Sequence, residues 1–511
     1  MSKLSTSSTI KLPAPTMGVD WTVPTSAVQY PYSPCSFDWI ANGYSVRMRD
    51  RHSRMLNLPT ANFSAIASHN ASGDLLLGVS TGFYTYDTAT QVLGPLRGAG
   101  FDGIWYDSVN YQGRVFLDRG SSTGSWDGST FTSLAFTASV LGSWGKSACC
   151  IYRDRYYNVV QQQLNYAELP GATSGTLKTF DLKSYYTRGA FCACATVSVK
   201  DSNSLADYLI LVSDGGDVVV FTGDFPGSAN WQLVSRIYIG SINNSLGNLN
   251  IIKCVQFGND AFLIVGSPVL VLSLRTLISE GLTVAQQRSP IAKAAPLIRQ
   301  DRSSVCYGAQ IFEKEKALLL QFYNASVSSL FFGFTPGLTN YWWLYIDLDS
   351  GAISPFSYPE EGQLPFDNAQ VSTSHSDGYV YGLSFFSEKL YRLFDPTQSD
   401  ATLESGSFLQ FPSTNLESPN AIKTLLMGYP LLSRKGGYVE AKLAVAYDLD
   451  RVNPSTFSSP NGSTFSGIES KRLNIPLAGA GEQISIAFIN PLRSGLVAEE
   501  LGVQFETGGP Y

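Results

Sequence analysis

VSDGGDVVVFTGDFPGSANWQLVSRIYIG, residues 212–240, sets a glycine turn, an apolar run, an acidic loop and a tryptophan within one short span. Two readings compete for it. Asp214, Asp217 and Asp224 could be the working carboxylates of an active-site loop, or they could punctuate a repeated β-structure. The local chemistry favours punctuation. YLILV precedes Ser213-Asp214-Gly215-Gly216-Asp217 and VVVF follows it. The glycines therefore sit where a hairpin needs positive φ, and the Asp side chains can bond their own backbone. Asp224 and Pro226 shape the next loop.

The same design recurs along the chain, while helical periodicity is nearly absent. DLLLGVSTGFYTYD (74–87), GRVFLDRGSSTGSWDGSTF (113–131) and CCIYRDRYYNVVQQ (149–162) are each an apolar run, a turn and a second run. AFLIVGSPVLVLSL (261–274), ALLLQFYNASVSSLFFGF with WWLYIDLDSGAISPF (317–356) and GYVYGLSFFSEKLYRLFD (378–395) continue the series to seven units, spaced about 35 to 60 residues apart. Many runs are continuously apolar, so both faces of the strand should be buried. Sheets stacked face to face around an axis bury strands in this way. The expectation is an all-β protein, a β-propeller of about seven blades over 61–410. A long sandwich is the rival, and the lack of amphipathic helices between strands argues against a parallel α/β fold.

Beyond about residue 410 the pattern changes to strict alternation. Val439, Ala441, Leu443 and Val445 alternate with Glu440 and Lys442. Ile484, Ile486 and Phe488 alternate with Gln483 and Ser485, and Val503 and Phe505 with Gln504 and Glu506. Half-buried antiparallel sheet has this signature. A second, β-rich platform domain is expected over 415–511, linked by FPSTNLESPN. Residues 1–60, rich in Pro, Ser and Tyr, read as an extended arm.

Charged residues are only 15% of the chain, and the formal charge of −6 is uneven. Residues 1–60 hold six basic against three acidic residues, whereas 61–414 hold 21 against 29. No long basic stripe marks a nucleic-acid reader, and most of the molecule would repel a phosphate backbone. The start, MSKLSTSSTIKLPAPT, lacks the apolar core of a signal peptide, and no stretch reads as a membrane span. Synthesis in a cytoplasm is expected. The seven cysteines have no framework spacing, which suits buried free thiols. Cys192 and Cys194 would face one side of a strand.

The motifs that would carry chemistry are incomplete. GAGFDG (98–103) fits G-x-G-x-x-G, but strand-like sequence follows where a helix N-terminus would have to face a pyrophosphate. DLDSG (347–351) lacks most of a calcium loop. SWDGSTF (125–131) resembles the Asp-box of sialidase propellers but is one residue short, with no second copy found. No catalytic, cofactor-binding or metal-binding residues are assigned, and an enzyme is not expected. RMRDRHSR, residues 47–54, is the one dense basic stretch. In an extended chain Arg47, Arg49 and Arg51 would point to one side, with Arg54 nearby. That row could be a solvated edge, a docking face for an acidic partner surface or, least, a DNA contact.

The span from LPGATSGTLKTFDLKSYYTRGAF through the opening stretch also resembles a pattern found in structural proteins of tailed bacteriophages. There a "GA-T" segment precedes a glycine-containing strand, a "vfvs-Gevav-GtdP" hairpin and a "W-Lvg-y-iG" strand. The matching residues are Gly171, Gly189, Gly216, Val218, Gly223, Asp224, Pro226, Trp231, Leu233, Val234, Tyr238, Ile239 and Gly240. FGNDAFLIVGSPVLVLSL fits the next unit, SDGYVYGLSFFSEKLYRLFD a later one, and FDWIANGYSVRMRD the N-terminal segment. The match is close over about 165–275 and loose elsewhere. Asp217 stands where the pattern often has Glu, and SPVLV lacks its usual turn Gly.

The family includes the nozzle or hub of short-tailed phages. The resemblance implies a virion tail protein forming a homo-oligomeric, hexameric ring below portal and adaptor, with tail fibre or needle proteins as further partners. Phage DNA would pass through its lumen without sequence-specific binding. It implies no cofactor. The alternatives are a tail-fibre or receptor-binding component and, less favoured, a propeller glycan hydrolase acting through clustered carboxylates.

Overall fold

Alternate residues of a β-strand point to opposite faces, so a strand apolar at every position must be covered on both sides. The computed structural model shows how. It describes residues 7–20, 22, 28–30, 32–33, 36–37, 39–42, 45–48, 51–58, 63, 65–99, 101, 105–120, 122–136, 147–185, 188–201, 204–242, 252–295, 298, 304–324, 341–356, 370–373, 377–384, 389–395, 407–412, 414, 416, 421–434, 438–447, 461–466, 471–477, 480–481, 483–490 and 496–507.

Among the described residues, seven antiparallel blades follow one another. Blade 1 holds Ala65–Ser68, Leu75–Val79, Gly82–Asp87 and Val92–Arg97. Blade 2 holds Asp107–Tyr111, Arg114–Asp118, Thr123–Trp126 and Phe131–Phe136. Blade 3 holds Ser147–Tyr152, Arg155–Val160, Gln163–Tyr166 and Thr176–Asp181. Blade 4 holds Phe191–Asp201, Ser204–Ser213, Asp217–Thr222 and Gln232–Tyr238. Blade 5 has three strands, Ile252–Phe257, Asp260–Gly266 and Val269–Ser273, and then two short helices, Leu274–Glu280 and Leu282–Gln287. Blade 6 holds Ser304–Phe312, Ala317–Asn324, Tyr341–Asp347 and Ile353–Phe356. Blade 7 takes Gln370–Thr373, Val380–Ser384 and Lys389–Asp395, and its fourth strand is Arg51–Asn57 from the other end of the chain.

The core closes the ring. Leu209 and Leu211 of blade 4 pack with Val159 and Leu164 of blade 3, while Ile210 and Val212 pack with Leu263 and Val265 of blade 5. Five other seams are built alike, and the last joins Leu75 and Leu77 of blade 1 to Tyr381 and Leu383 of blade 7. Each such side chain, fully buried, contributes about 1.5–3 kcal/mol. At the rim, Ala135 and Phe136 of blade 2 pair in parallel with Thr176 and Leu177 of blade 3.

The platform is a two-sheet sandwich drawn from both ends of the chain. One sheet runs Trp39–Asn42, Ser45–Met48, Leu496–Thr507, Lys423–Arg434, with Ser7–Pro13 also on Leu496–Thr507. The other runs Ser36–Phe37, Ser407–Gln410, Ile484–Asn490, Tyr438–Tyr447, Asn461–Ser466. Trp39, Val46, Leu443, Val445, Ile486 and Phe505 meet between them.

Three sequence expectations are corrected here. Residues 1–60 do not form a separate arm, because their strands find ladder partners in the platform and in blade 7. FPSTNLESPN is more than a link, since Phe411 and Leu416 are in the platform core. The face of Ile484–Asn490 expected to meet solvent is covered. Ser485 is buried against Gln410, and Ala487 packs into the seam between blades 5 and 6.

Candidate functional site at the propeller–platform junction

The basic segment lies where the chain leaves the platform for the propeller. An uninterrupted strand through 46–52 would put three guanidiniums on one side, but the described residues of this segment fall in two strands of different sheets. Ser45–Met48 ends in a platform sheet, and Arg51–Asn57 begins in blade 7. Arg47 and Arg51 therefore belong to different sheets. Arg49 lies outside the described residues, and Arg51 and Arg54 are described only by their register, Arg51 opposite Asp395 and Arg54 opposite Tyr391.

Arg47 has its partner within the chain. Its guanidinium lies 2.5 Å from Glu315 Oε1, in the tight turn after the inner strand of blade 6, with both side chains about three-quarters buried. Tyr345 OH donates to the other carboxylate oxygen at 2.8 Å. Burial, followed by the charge of Glu315, pushes the Tyr345 hydroxyl well above its usual range, so it remains a donor. Ile40, directly opposite Arg47 in the hairpin ladder, enters the core between blades 6 and 7 beside Phe312, Trp343 and Phe356. A second tie lies at the next seam. Lys293 reaches Asp20 at 2.6 Å and stands over the Tyr32 ring at 4.8 Å. Burial alone would raise the Asp20 carboxyl, but hydrogen bonds from Lys293 and Thr22 overcome it and hold it below its usual range. These groups fasten platform to propeller.

The carboxylates of the opening stretch are each committed to backbone or to a neighbouring cation. Asp214 Oδ1 accepts from Ala190 N at 2.6 Å, tying the turn to the start of the blade's inner strand. Asp217 is buried and lies 3.6 Å from Arg188 Nη1, whose guanidinium covers the Tyr238 ring. Asp224 takes Asn230 Nδ2 at 3.0 Å and Arg153 Nη1 at 2.9 Å. The hydrogen bond from Asn230 and the pairing with Arg153 keep its carboxyl low. These contacts are structural.

A repeated element missed in the sequence explains SWDGSTF. Asp127 Oδ1 accepts from Ser129 N and Thr130 N, and Arg114 reaches Oδ2 at 2.8 Å. The two backbone donors, with Arg114 adding to them, hold the carboxyl down at about 2. Asp87 makes the same turn with Ala89 and Thr90, and Asp347 with Asp349 and Ser350. All three close the third strand of a blade onto the fourth. An Asp two and three residues before its backbone donors was the available signal; the residues between them differ each time, which hid the repeat.

GAGFDG falls in the connection from blade 1 to blade 2, and the next element among the described residues is the strand Asp107–Tyr111. Six described cysteines are free thiols. A β-bulge at the start of blade 4 separates Cys192 from Cys194, against the expectation that they share a face. Cys192 packs toward blade 5 and Cys194 toward blade 3. Among the described residues no group of three or more His, Cys, Asp or Glu is placed to hold a metal ion, and no helix is long and apolar enough to cross a membrane.

No protein-family model and no curated protein matches the chain. Among solved structures, the chain is similar to the β-propeller domain of Cps50 (Swd1) from Myceliophteria thermophila. The identity is 9% and the TM-score 0.42, over 67% of this chain and 99% of that one.

Proposed function

We propose that this chain is a structural virion protein of a tailed phage, a subunit of the ring-forming nozzle or hub that continues the DNA exit conduit below portal and adaptor. The observation that carries the reading is the match between the phage pattern and the blade geometry it falls on. Gly171, Gly189, Gly216, Gly223 and Gly240 of the pattern all have positive φ, from +65° to +111°. Trp231 stacks on Phe221 with ring centroids 5.1 Å apart. The pattern thus spans the last turn of blade 3 and the turns of blade 4, and the departure at SPVLV is a turn through Ser267–Pro268 with a cis peptide bond.

The chemistry supports a scaffold more than a catalyst. Arg47, Asp20, Asp127, Asp217 and Asp224 are all spent on holding strands, turns and modules together. A six-membered ring, contacts to adaptor and fibre or needle proteins, and residence in the virion tail come with the proposal. Antibodies raised against the propeller should label the tail end of purified particles in electron micrographs. Label confined to the capsid, or particles that lack the protein, would refute it.

A further inference from the structure

Asp118 ends the second strand of blade 2 and is fully buried. Its Oδ1 accepts from Gly120 N at 2.8 Å and from Asn158 Nδ2 at 2.6 Å. Its Oδ2 has no partner, and neither has Ser147 Oγ, the first hydroxyl of blade 3. Ser147 stands close by, since a Cβ on Gly120 would lie 3.4 Å from its Oγ. Two orphaned polar atoms are thus enclosed together at the seam between blades 2 and 3.

The neighbours fix which state the carboxyl can take. Asp107, on the inner strand of blade 2, faces Asp118 across the ladder, and its Oδ2 accepts from Cys149 N at 3.0 Å. Blade 3 adds the Cys149 thiol and Tyr156. Blade 2 adds Thr123, 3.3 Å from Tyr156 OH. None of these is a cation, and Lys253 of blade 5 acts on Asp107. From the rim inward runs a file of donors: Thr179 Oγ1 to Asn165 Oδ1 at 2.7 Å, Asn165 Nδ2 to Asn158 Oδ1 at 2.9 Å, then Asn158 to Asp118. Every link donates toward Asp118, so Oδ1 is an acceptor and Oδ2 is the place for a proton.

An ionised carboxylate with one bare oxygen and no cation is costly in a sealed site. Of two adjacent carboxyls, the one without compensation takes the proton. We propose that Asp118 is held as a neutral carboxylic acid whose Oδ2–H donates to Ser147 Oγ, giving the seam between blades 2 and 3 a proton-dependent clasp that releases as the pH rises past neutrality. Burial is the first cause. It pushes the carboxyl from 3.8 up to about 7, with Asp107 adding to the rise and the bonds from Gly120 and Asn158 opposing it.

The sign follows from linkage. The stability supplied by this group is complete below about 3.8, falls as the pH rises to about 7, and is level above that. Within that window the folding equilibrium weakens by up to about tenfold per pH unit. Denaturant unfolding of the full chain from pH 5 to 8 should show this loss, and Asp118→Asn should abolish it and be the more stable protein at pH 8. The infrared spectrum should hold a protonated-carboxyl stretch at pH 6 that disappears at pH 9 and is missing in Asp118→Asn. If that variant fails to fold, Ser147→Ala serves, because removing the acceptor should shift the same band. An unshifted or absent band at pH 6, or an Asn variant weakened equally at both ends of the range, would overturn the proposal.

Discussion

Gly216 and Gly227 share a left-handed φ, +91° and +93°, but their surroundings differ. A Cβ on Gly216 would run into the carbonyl oxygen of Gly240, whereas one on Gly227 would meet nothing within 4 Å. Gly227→Ala should therefore cost only the conformational term, about 1–2 kcal/mol. Gly216→Ala should cost more, about 3 kcal/mol or above, because the turn of blade 4 must also separate from its outer strand. Denaturant midpoints of the two variants check this, and equal losses would mean that the close approach is not there. The same scale decides the acidic residues. Asp214 and Asp217 look alike in sequence, but one caps the start of a strand and the other is a buried partner of Arg188.

Between elements, the joint of Arg47 and Glu315 is the most direct tie from platform to propeller. Arg47→Ser and Glu315→Ala should each destabilise by about 1–2 kcal/mol. The double variant should lose less than the two together, and added salt should shrink the coupling only slightly because both groups are largely covered. A double-mutant cycle by denaturation measures it, and strict additivity would remove the ion pair from the account. Sequence reasoning found the seven blades, because a turn between two apolar runs is written within about 15 residues. It did not find how the ends are used. Ser36–Phe37 pairs with Phe408–Leu409, and Arg51–Asn57 with Lys389–Asp395, across more than 300 residues. Short polar strands carry no mark of a partner so distant, so residues 1–60 read as an arm and the arginine row as a solvated edge or a docking face. The alternation in Ile484–Asn490 was legible, but the cover over its second face comes from another module and leaves no local trace.

At the level of the whole molecule, the propeller is inserted into the platform, and the strand that closes the ring enters directly from the platform. Removal of residues 1–57 should therefore undo both modules, and calorimetry of the shortened chain should show no cooperative transition like that of the full protein. A sharp transition at the same temperature would mean that the N-terminal strands are dispensable. The net charge of −6 bears on the proposed conduit. If the lumen of the proposed ring carries its share of that charge, DNA moving through it would find few cations and release few counter-ions. The purified protein should leave duplex DNA unshifted in gels at physiological salt, and tight, salt-sensitive retention would contradict a passive lumen. The most direct test of the central claim is cryo-electron microscopy of the assembled protein, purified or in particles. The account expects class averages of a closed six-fold ring of propeller-bearing subunits around a hole of about the width of duplex DNA. Isolated monomers at all concentrations and no ring in the particle, or an open filament, would contradict it.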